Sequence, residues 1–270
     1  MEAKLTSVVI ESTNFCNAKC VYCTHSIMKR TKGYMPDFVF KKIIEDCKEC
    51  KDLDNICMQI HGEPTLLNCL NDRLCYIRKN LPNVKINLIS NGAKLTEEIV
   101  SLVDHLDFSF NYALKEDYEK GMGLDYDFSV NLLLSLYKFK EKISIHFVST
   151  IDNIGHLELL KQQFPEYIIA VNPLFSTWNG KLEDKNILSV EKRIICDRML
   201  IQLPILWNGD AIICCNDYEG ITSKNIGNVL DKSILELFYS DYLQEMRIVN
   251  NNLDYIGTFC ENCNSYNIYK

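Results

Sequence analysis

The cysteines nearest the N-terminus are the residues best suited to chemistry. Cys16, Cys20 and Cys23 form a CxxxCxxC pattern just after the first short apolar run of the chain. Three thiolates can hold three irons of a [4Fe–4S] cubane and leave the fourth iron open, as catalytic zinc sites keep one open position. Two other interpretations fit these residues: a zinc site completed by His25, or three buried thiols. Zinc would usually show a second paired knuckle nearby, so the spacing favours a cluster.

A second group of cysteines lies near the C-terminus. The chain has 13 cysteines, and none falls between residues 76 and 195. In a reducing compartment such thiols indicate metal binding or catalysis rather than disulfides, so two separated groups suggest two metal sites. The second group contains Cys196, Cys214 and Cys215, followed by the CxxC pair Cys260 and Cys263. Spacing alone also permits a four-cysteine zinc ribbon here.

Five further cysteines are interpreted as structural. They are Cys47, Cys50, Cys57, Cys69 and Cys75. All lie on predicted helices or on a predicted strand, where a free cysteine behaves as a small buried hydrophobic residue. We assign them no function.

Composition narrows the class of protein. The 270 residues carry a net charge of −7, which argues against a dominant nucleic-acid role, because phosphate binding needs clustered Lys and Arg. No stretch approaches the roughly 20 apolar residues of a membrane span, and no apolar run precedes Glu11 as a signal peptide would. We therefore expect a cytoplasmic protein with neither a membrane nor a nucleic-acid partner.

Short apolar runs alternate with helical patterns over the first part of the chain. Strands are predicted at Ser7–Ile10, Ile56–Ile60, Lys85–Ile89, Leu106–Phe110, Ile143–Val148 and Ile168–Val171. Helices are predicted at Asp37–Cys50, Leu70–Asn80, Thr96–Leu102, Asp127–Lys140 and His156–Phe164, with Asp127 as the cap of the fourth. This alternation predicts an α/β fold with a parallel sheet, a (β/α)6 arrangement too short for a closed eight-stranded barrel.

A smaller element is predicted to follow a polar stretch after Gly180. It begins with a hairpin, in which Leu203–Trp207 and Ala211–Cys214 flank the turn Asn208-Gly209. Helices follow at about Ile234–Phe238 and Asp241–Val249. We therefore predict two domains, residues 1–180 and residues 181–270.

The N-terminal cysteine pattern resembles the signature of the radical S-adenosylmethionine (SAM) superfamily, in which an aromatic residue, here Tyr22, precedes the third cysteine. The resemblance implies a partial barrel whose open iron chelates the amino and carboxylate groups of SAM. It further implies that one electron cleaves SAM to methionine and a 5′-deoxyadenosyl radical, which abstracts a hydrogen from the substrate.

Residues at the predicted strand ends extend the resemblance, since ligands of open parallel sheets bind beyond the carboxyl ends of strands. His61-Gly-Glu63-Pro-Thr resembles the family's GGEP motif with His61 in place of the first Gly, and its carboxylate would bind the SAM ammonium. Ser90-Asn91-Gly92 resembles the TNG motif that lies near SAM. Each stretch also reads as a simple turn after a strand. With Ser109 and Asn111 of the fourth strand, the implied SAM contacts are Tyr22, Glu63, Ser90, Asn91, Ser109 and Asn111.

The C-terminal cysteines resemble the SPASM and twitch modules of radical SAM enzymes. A full SPASM module needs about seven cysteines, whereas only seven residues follow Cys263 and none is Cys. The resemblance therefore implies a twitch-type module with one auxiliary [4Fe–4S] cluster, held by Cys196, Cys214, Cys260 and Cys263. Cys215 is left over, because neighbouring residues on a strand point to opposite faces.

Size and cysteine spacing resemble the twitch-bearing aminocyclitol dehydrogenases, which oxidise a secondary alcohol to a ketone. This implies a two-electron oxidation of a small molecule such as a sugar or aminocyclitol, with a flavodoxin- or ferredoxin-type electron donor. The segment Phe175–Gly180, which includes Trp178, departs from the Arg of those enzymes, so the same substrate is not implied.

Two alternatives stay open. One is a peptide or protein maturase that modifies a ribosomal precursor or a sulfatase; many of these carry an N-terminal leader-binding domain, whereas this chain begins at the first strand. The other is a non-enzymatic protein, a zinc-binding scaffold or an electron carrier.

Overall fold

The computed structural model describes residues 2–173 and 194–263. Their seven strands form one sheet in the order β6-β5-β4-β3-β2-β1-β7, and every neighbouring pair is parallel. The strands are β1 Ser7–Ile10, β2 Asn55–Cys57, β3 Lys85–Ser90, β4 His105–Ser109, β5 Ile143–Ser149, β6 Ile168–Pro173 and β7 Gln202–Ile205. The six strands predicted from the apolar runs are all present, so the sheet is the open α/β sheet of a partial barrel.

Helices connect consecutive parallel strands, as crossover connections require. They are α1 Asp37–Cys47, α2 Leu70–Asn80, α3 Glu97–Leu102, α4 Lys115–Met122, α5 Tyr126–Ser135 and α6 His156–Gln163. Helix α7 Arg198–Ile201 directly precedes β7, and α8 Ser223–Ile226, α9 Ile234–Phe238 and α10 Asp241–Asn252 follow it. None of the helices in the described ranges is long and apolar enough to cross a membrane.

Side-chain caps fix where two of these helices begin. The Thr96 hydroxyl accepts a hydrogen bond from the Ile99 amide at 3.3 Å, which starts α3 one residue after the predicted position. The prediction of Asp127 as the cap of α5 was wrong. Asp125 caps it instead, because its carboxylate accepts from the Phe128 amide at 2.8 Å and satisfies a donor of the first turn.

The predicted C-terminal hairpin has a different role from the one expected. Its first strand, β7, pairs in parallel with β1 and becomes the seventh strand of the main sheet. The Asn208-Gly209 turn is present, but the antiparallel pairing is reduced to one bridge between Ile205 and Ala211. The predicted domain boundary at residues 180 and 181 lies outside the described residues and stays a prediction.

The two faces of the sheet differ in polarity. Along β4, Leu106 and Phe108 are fully buried and pack in the main hydrophobic cluster with side chains of the flanking helices. His105, Asp107 and Ser109 alternate with them and are partly exposed. Because side chains alternate along a strand, these three lie on the opposite face, which we call the inner face.

Candidate active site

The loop after β1 carries Cys16, Cys20 and Cys23 and is held by backbone hydrogen bonds. The amides of Lys19 and Val21 donate to the carbonyls of Met122 and Gly121 at the end of α4, at 2.8 and 3.0 Å. This fixes the middle of the cysteine pattern against the fourth crossover.

The loop after β2 packs closely against the same cysteine loop. The Glu63 amide donates to the Phe15 carbonyl at 2.8 Å. A Cβ at Gly62 would lie 2.2 Å from the Thr13 carbonyl oxygen, so only glycine fits there. The sequence Gly62-Glu63 thus places its carboxylate near the cysteine loop, where its charge acts on the Cys16 thiol.

All thirteen cysteines lie in the described residues, and none of them forms a disulfide bond there. Burial, with smaller contributions from neighbouring negative charges, raises the pKa of Cys16 and of Cys20 to about 12. The Cys20 pKa is raised by charge at both Cys23 and Cys16, which shows that the three sulfurs share one environment. Metal binding requires deprotonated thiols. The bound iron, rather than the protein, would have to supply the positive charge that compensates these thiolates.

His25, the fourth ligand in the zinc interpretation, has one ring nitrogen bonded to the backbone. His25 Nε2 lies 3.0 Å from the Asn14 carbonyl oxygen and is engaged there. Across the described ranges, no group of three or more His, Cys, Asp or Glu side chains could hold a metal ion. A mononuclear site draws its ligands to one centre, whereas the thiolates of a cubane bind separate irons.

Glu63 is buried, and its carboxylate accepts hydrogen bonds from the two motifs around it. Oε1 accepts from the hydroxyls of Thr65 and Ser90 at 2.6 and 2.7 Å, and Oε2 accepts from the Asn91 amide at 2.7 Å. Burial raises the pKa of Glu63, and these hydrogen bonds only partly offset the effect. The GGEP-like and TNG-like stretches therefore form one unit around a carboxylate that would gain from a positive ligand.

Asn91 connects this unit to the cysteine loop. Its Nδ2 lies 3.7 Å from Cys16 Sγ and 3.0 Å from Asn17 Oδ1. Four of the sequence-predicted residues (Cys16, Glu63, Ser90 and Asn91) are thus brought together at the carboxyl ends of β1, β2 and β3.

Asn111 forms its side-chain contacts within the protein. Its Oδ1 accepts from the Val148 amide at 2.5 Å, and its Nδ2 contacts the Tyr22 hydroxyl and Met122 Sδ. Asn111 therefore orients Tyr22, the aromatic residue of the cysteine pattern. Ser109 lies on the inner face, and it is aligned with His146 across the β4–β5 pair.

We expect Glu63→Gln to weaken SAM binding by roughly 10- to 100-fold, since a hydrogen bond to a charged group contributes about 1.5–3 kcal/mol. Equilibrium dialysis of the anaerobic, iron-loaded protein measures the dissociation constant. Glu45→Gln is the matched control, because Glu45 lies on α1 and pairs only with Lys48 and Tyr76 at the surface. Equal SAM affinity in Glu63→Gln and the parent would show that this carboxylate does not contact the ligand.

The C-terminal cysteines also lie together. Burial raises the pKa of Cys214 well above its usual range, and the charges of Cys215, Cys260 and Cys263 raise it further. Cys196 joins the group, since charge at Cys263 acts on its thiol. The four residues proposed as auxiliary-cluster ligands thus share one buried environment.

Hydrogen bonds hold this second group in place. Asn250 binds the backbone of Cys196 from both ends of its carboxamide, at 2.8 and 3.1 Å. Asn216 Nδ2 lies 3.7 Å from Cys263 Sγ. Cys215 lies apart in its contacts, because its sulfur accepts from Arg198 at 3.2 Å and packs with a small apolar cluster around Ile60 and Ile212.

A buried ionic network joins the two groups of cysteines, and sequence reasoning missed it. Arg30 donates to both oxygens of Glu11, with Nη1 to Oε2 at 2.8 Å, and its Nε donates to the Tyr218 carbonyl at 2.6 Å. His61 lies between Glu11, at 3.2 Å from Nδ1, and the Cys215 carbonyl, at 2.6 Å from Nε2. Among these residues only His61 stood out in the sequence, because it replaces the first Gly of the GGEP-like motif.

Burial pushes the pKa of Glu11 upward, but hydrogen bonds from His61 and Arg30 outweigh it and leave that pKa below its usual range. Glu11 is therefore an ionised carboxylate in the interior. Since Glu219 also accepts from the amides of Lys29 and Arg30, at 2.9 and 3.0 Å, the network fixes the C-terminal element against the first loop.

The inner face carries a second set of polar residues that sequence reasoning missed. Ser144 donates to Asp107 Oδ1 at 2.5 Å, and His105 Nε2 lies 3.3 Å from the same oxygen. His146 follows two residues after Ser144 on β5, on the same face. The alternation of polar and apolar residues along β4 and β5 is the sequence pattern that could have predicted this set.

Comparison with known families decides the interpretation of this site. Residues 10–161 match the radical SAM superfamily, which is more than half of the chain. The chain belongs to the radical SAM superfamily. Residues 196–264 match the SPASM iron–sulfur cluster-binding domain.

Membership in the radical SAM superfamily makes this an enzyme with a [4Fe–4S] cluster and SAM, and the SPASM match adds an auxiliary cluster. The residues present fit these groups. Cys16, Cys20 and Cys23 are neighbouring thiols outside any disulfide, which suits a cluster, and the buried Glu63 carboxylate suits an ammonium.

Two curated relatives of this radical SAM enzyme have names that describe different roles. The tungsten-containing aldehyde ferredoxin oxidoreductase cofactor-modifying protein of Pyrococcus furiosus is 21% identical, over 94% of this chain and 86% of the relative. The SAM-dependent 2-deoxy-scyllo-inosamine dehydrogenase of Niallia circulans is 25% identical over 39% of this chain and 43% of its own length.

Solved radical SAM structures share the fold. BtrN in complex with AdoMet and 2-DOIA has a TM-score of 0.72 at 17% identity, covering 98% of this chain and 94% of BtrN. Streptococcus suis SuiB bound to precursor peptide SuiA has a TM-score of 0.73 at 16% identity, covering 98% of this chain and 71% of SuiB. AdoMet-bound anSMEcpe has a TM-score of 0.68 at 18% identity, covering 91% of this chain and 83% of anSMEcpe. At such identities the likeness shows the fold alone.

Proposed function

We propose that this radical SAM enzyme is a dehydrogenase that oxidises a secondary alcohol of a small polyhydroxylated molecule, such as a sugar or aminocyclitol. One observation carries the proposal. The inner face presents a carboxylate, a hydroxyl and an imidazole, in Asp107, Ser109 and His146, beside the strand end that holds Asn91. Such groups recognise substrate hydroxyls by hydrogen bonds and are costly to leave unpaired, so they select against apolar substrates.

The proposed oxidation balances with the two clusters this family and its SPASM domain carry. When bound, the N-terminal cluster and SAM supply a 5′-deoxyadenosyl radical, and the auxiliary cluster supplies an acceptor for one electron. The alcohol loses a hydrogen atom from carbon, a proton from oxygen and one electron, and a C=O double bond replaces the C–O single bond. Glu63 and Asn91 would orient SAM at the strand ends, and the inner face would hold the alcohol.

A one-electron donor of the flavodoxin or ferredoxin type would start each turnover. The thirteen free thiols suit the reducing cytoplasm, where such donors work. We propose the cytoplasm as the site of the reaction on this ground.

The second candidate is a peptide-modifying enzyme, which the fold shared with peptide-bound SuiB favours. In that case the auxiliary cluster would serve a peptide oxidation or crosslink, and the polar inner face would meet a polar side chain.

The dehydrogenase proposal predicts that deuterium passes from substrate carbon to 5′-deoxyadenosine. The anaerobic enzyme is incubated with SAM, reductant and 2-deoxy-scyllo-inosamine deuterated at its carbinol carbons, and mass spectrometry follows both products. We expect deuterated 5′-deoxyadenosine and one ketone for each SAM cleaved. Unlabelled 5′-deoxyadenosine with no ketone would contradict this proposal.

A further inference from the structure

His146 lies on the inner face of the sheet, on β5. It is registered against Ser109 across the β4–β5 pair, and the Phe110 amide donates to its carbonyl at 3.1 Å. The next strand, β3, leads directly into Asn91, whose carboxamide reaches the Cys16 sulfur. His146 is therefore two strands from the residue that connects the inner face to the cysteine loop.

The ring of His146 is not committed to other protein groups. Neither ring nitrogen forms a hydrogen bond within residues 2–173 and 194–263, and the residue is partly exposed. In contrast, His25, His61 and His156 each bind a backbone group, and His105 binds Asp107 and Ser144. His146 alone among these five rings keeps both nitrogens open within the described residues.

The charged and titratable groups around His146 favour proton acceptance. Asp107, a diagonal neighbour on β4, faces it with His105, and Cys57 of β2 lies near Asp107. On β6 the registered residue is Ala170. Burial lowers the pKa of His146 and Asp107 partly offsets this, so the ring is neutral at neutral pH and gains a stabilising carboxylate once protonated.

We propose that His146 is the catalytic base that takes the substrate hydroxyl proton, with Asp107 stabilising the imidazolium that forms; this rests on the proposed dehydrogenase function. The O–H bond breaks and an N–H bond forms on the imidazole. When bound, SAM would supply the radical that takes the carbinol hydrogen atom and the auxiliary cluster would accept the remaining electron, which leaves the ketone. The proton then leaves His146 to water.

The first test separates proton transfer from radical formation. With 2-deoxy-scyllo-inosamine as the probe, His146→Gln is expected to form ketone about 100-fold more slowly or less while still producing 5′-deoxyadenosine. The acid limb of the pH profile for ketone formation should shift to lower pH in Asp107→Asn, which keeps the base but removes the charge that raises its pKa. His156→Gln, at the start of α6, is the matched control and should retain the parent rate.

The outcomes are distinguishable. A parent-like ketone rate and pH profile in His146→Gln would overturn the role of His146 and leave the dehydrogenase proposal standing. Absence of ketone from the parent enzyme, with SAM still cleaved, would overturn the dehydrogenase proposal and the role of His146 with it.

A second test needs no turnover. Diethyl pyrocarbonate reacts with neutral, accessible imidazoles, and peptide mapping reports each of the five histidines of the iron-loaded enzyme. We expect His146 to be modified in the absence of ligands and protected by SAM together with 2-deoxy-scyllo-inosamine. Modification that is equal with and without these ligands would overturn the placement of His146 at the substrate.

Discussion

Replacing Cys16, Cys20 and Cys23 together with alanine is expected to abolish the reductive cleavage of SAM. The three sulfurs share one buried environment next to Glu63 and Asn91, and without them no iron could be held at the carboxyl ends of the first three strands. Iron should fall from about eight to about four per chain, because the C-terminal thiols are left intact. Chromatography of 5′-deoxyadenosine after anaerobic reconstitution measures the activity.

Cys75→Ala is the matched control for that variant. Cys75 is exposed on α2, away from both cysteine groups, so its loss should change neither iron content nor SAM cleavage. Parent-like 5′-deoxyadenosine formation by the triple variant would refute the assignment of the N-terminal cysteines to the SAM cluster.

Arg30→Ala is expected to lower the free energy of unfolding by about 3–5 kcal/mol, because it leaves the Glu11 carboxylate buried without its main partner. The same change removes the hydrogen bond to the Tyr218 carbonyl, so the C-terminal element should loosen as well. Denaturant unfolding of the metal-free protein gives the difference. Lys41→Ala, which breaks an exposed pair with Asp37 on α1, should leave the midpoint nearly unchanged.

The pH dependence of this loss follows from the pKa of Glu11, which is lowered in the folded protein. The stability that ionised Glu11 contributes is present above its ordinary pKa of 4.5 and is lost as the pH falls through the lower, folded value. The difference between the parent and Arg30→Ala should therefore shrink in acid. A difference independent of pH would argue that Arg30 acts through packing rather than through its charge.

Local sequence patterns predicted most of the fold. The bounds of β1, α2 and α9 were predicted to the residue, since each is a clear apolar or amphipathic segment between turn residues. Helix α4 was missed because it is mostly polar and contains Gly121, a poor helix former that lies tightly against the Tyr112 ring. The partner of β7 was missed because adjacent segments suggest a hairpin, whereas its parallel partner β1 lies at the other end of the chain.

The residues of the candidate site likewise divide into those that local sequence patterns predict and those that only the fold brings together. The cysteines, Glu63 and the Ser90-Asn91 pair could be found because spacing and strand ends place them without knowledge of the packing. The Glu11–Arg30–His61 network and the pairing of Asp107 with Ser144 depend on residues that meet only in the folded sheet. Asn111, a predicted SAM contact, also holds Tyr22, and that contact likewise depends on the folded structure.

The pairing of β7 with β1 has a consequence for synthesis on the ribosome. β1 is among the first segments to emerge, and the strand that covers its outer edge, Gln202–Ile205, follows only after six strands and their crossovers have been made. An uncovered strand edge is a template for pairing with other chains. The nascent polypeptide therefore carries an aggregation hazard through most of its translation. The hazard ends only when β7 and the cluster-binding region have been synthesised.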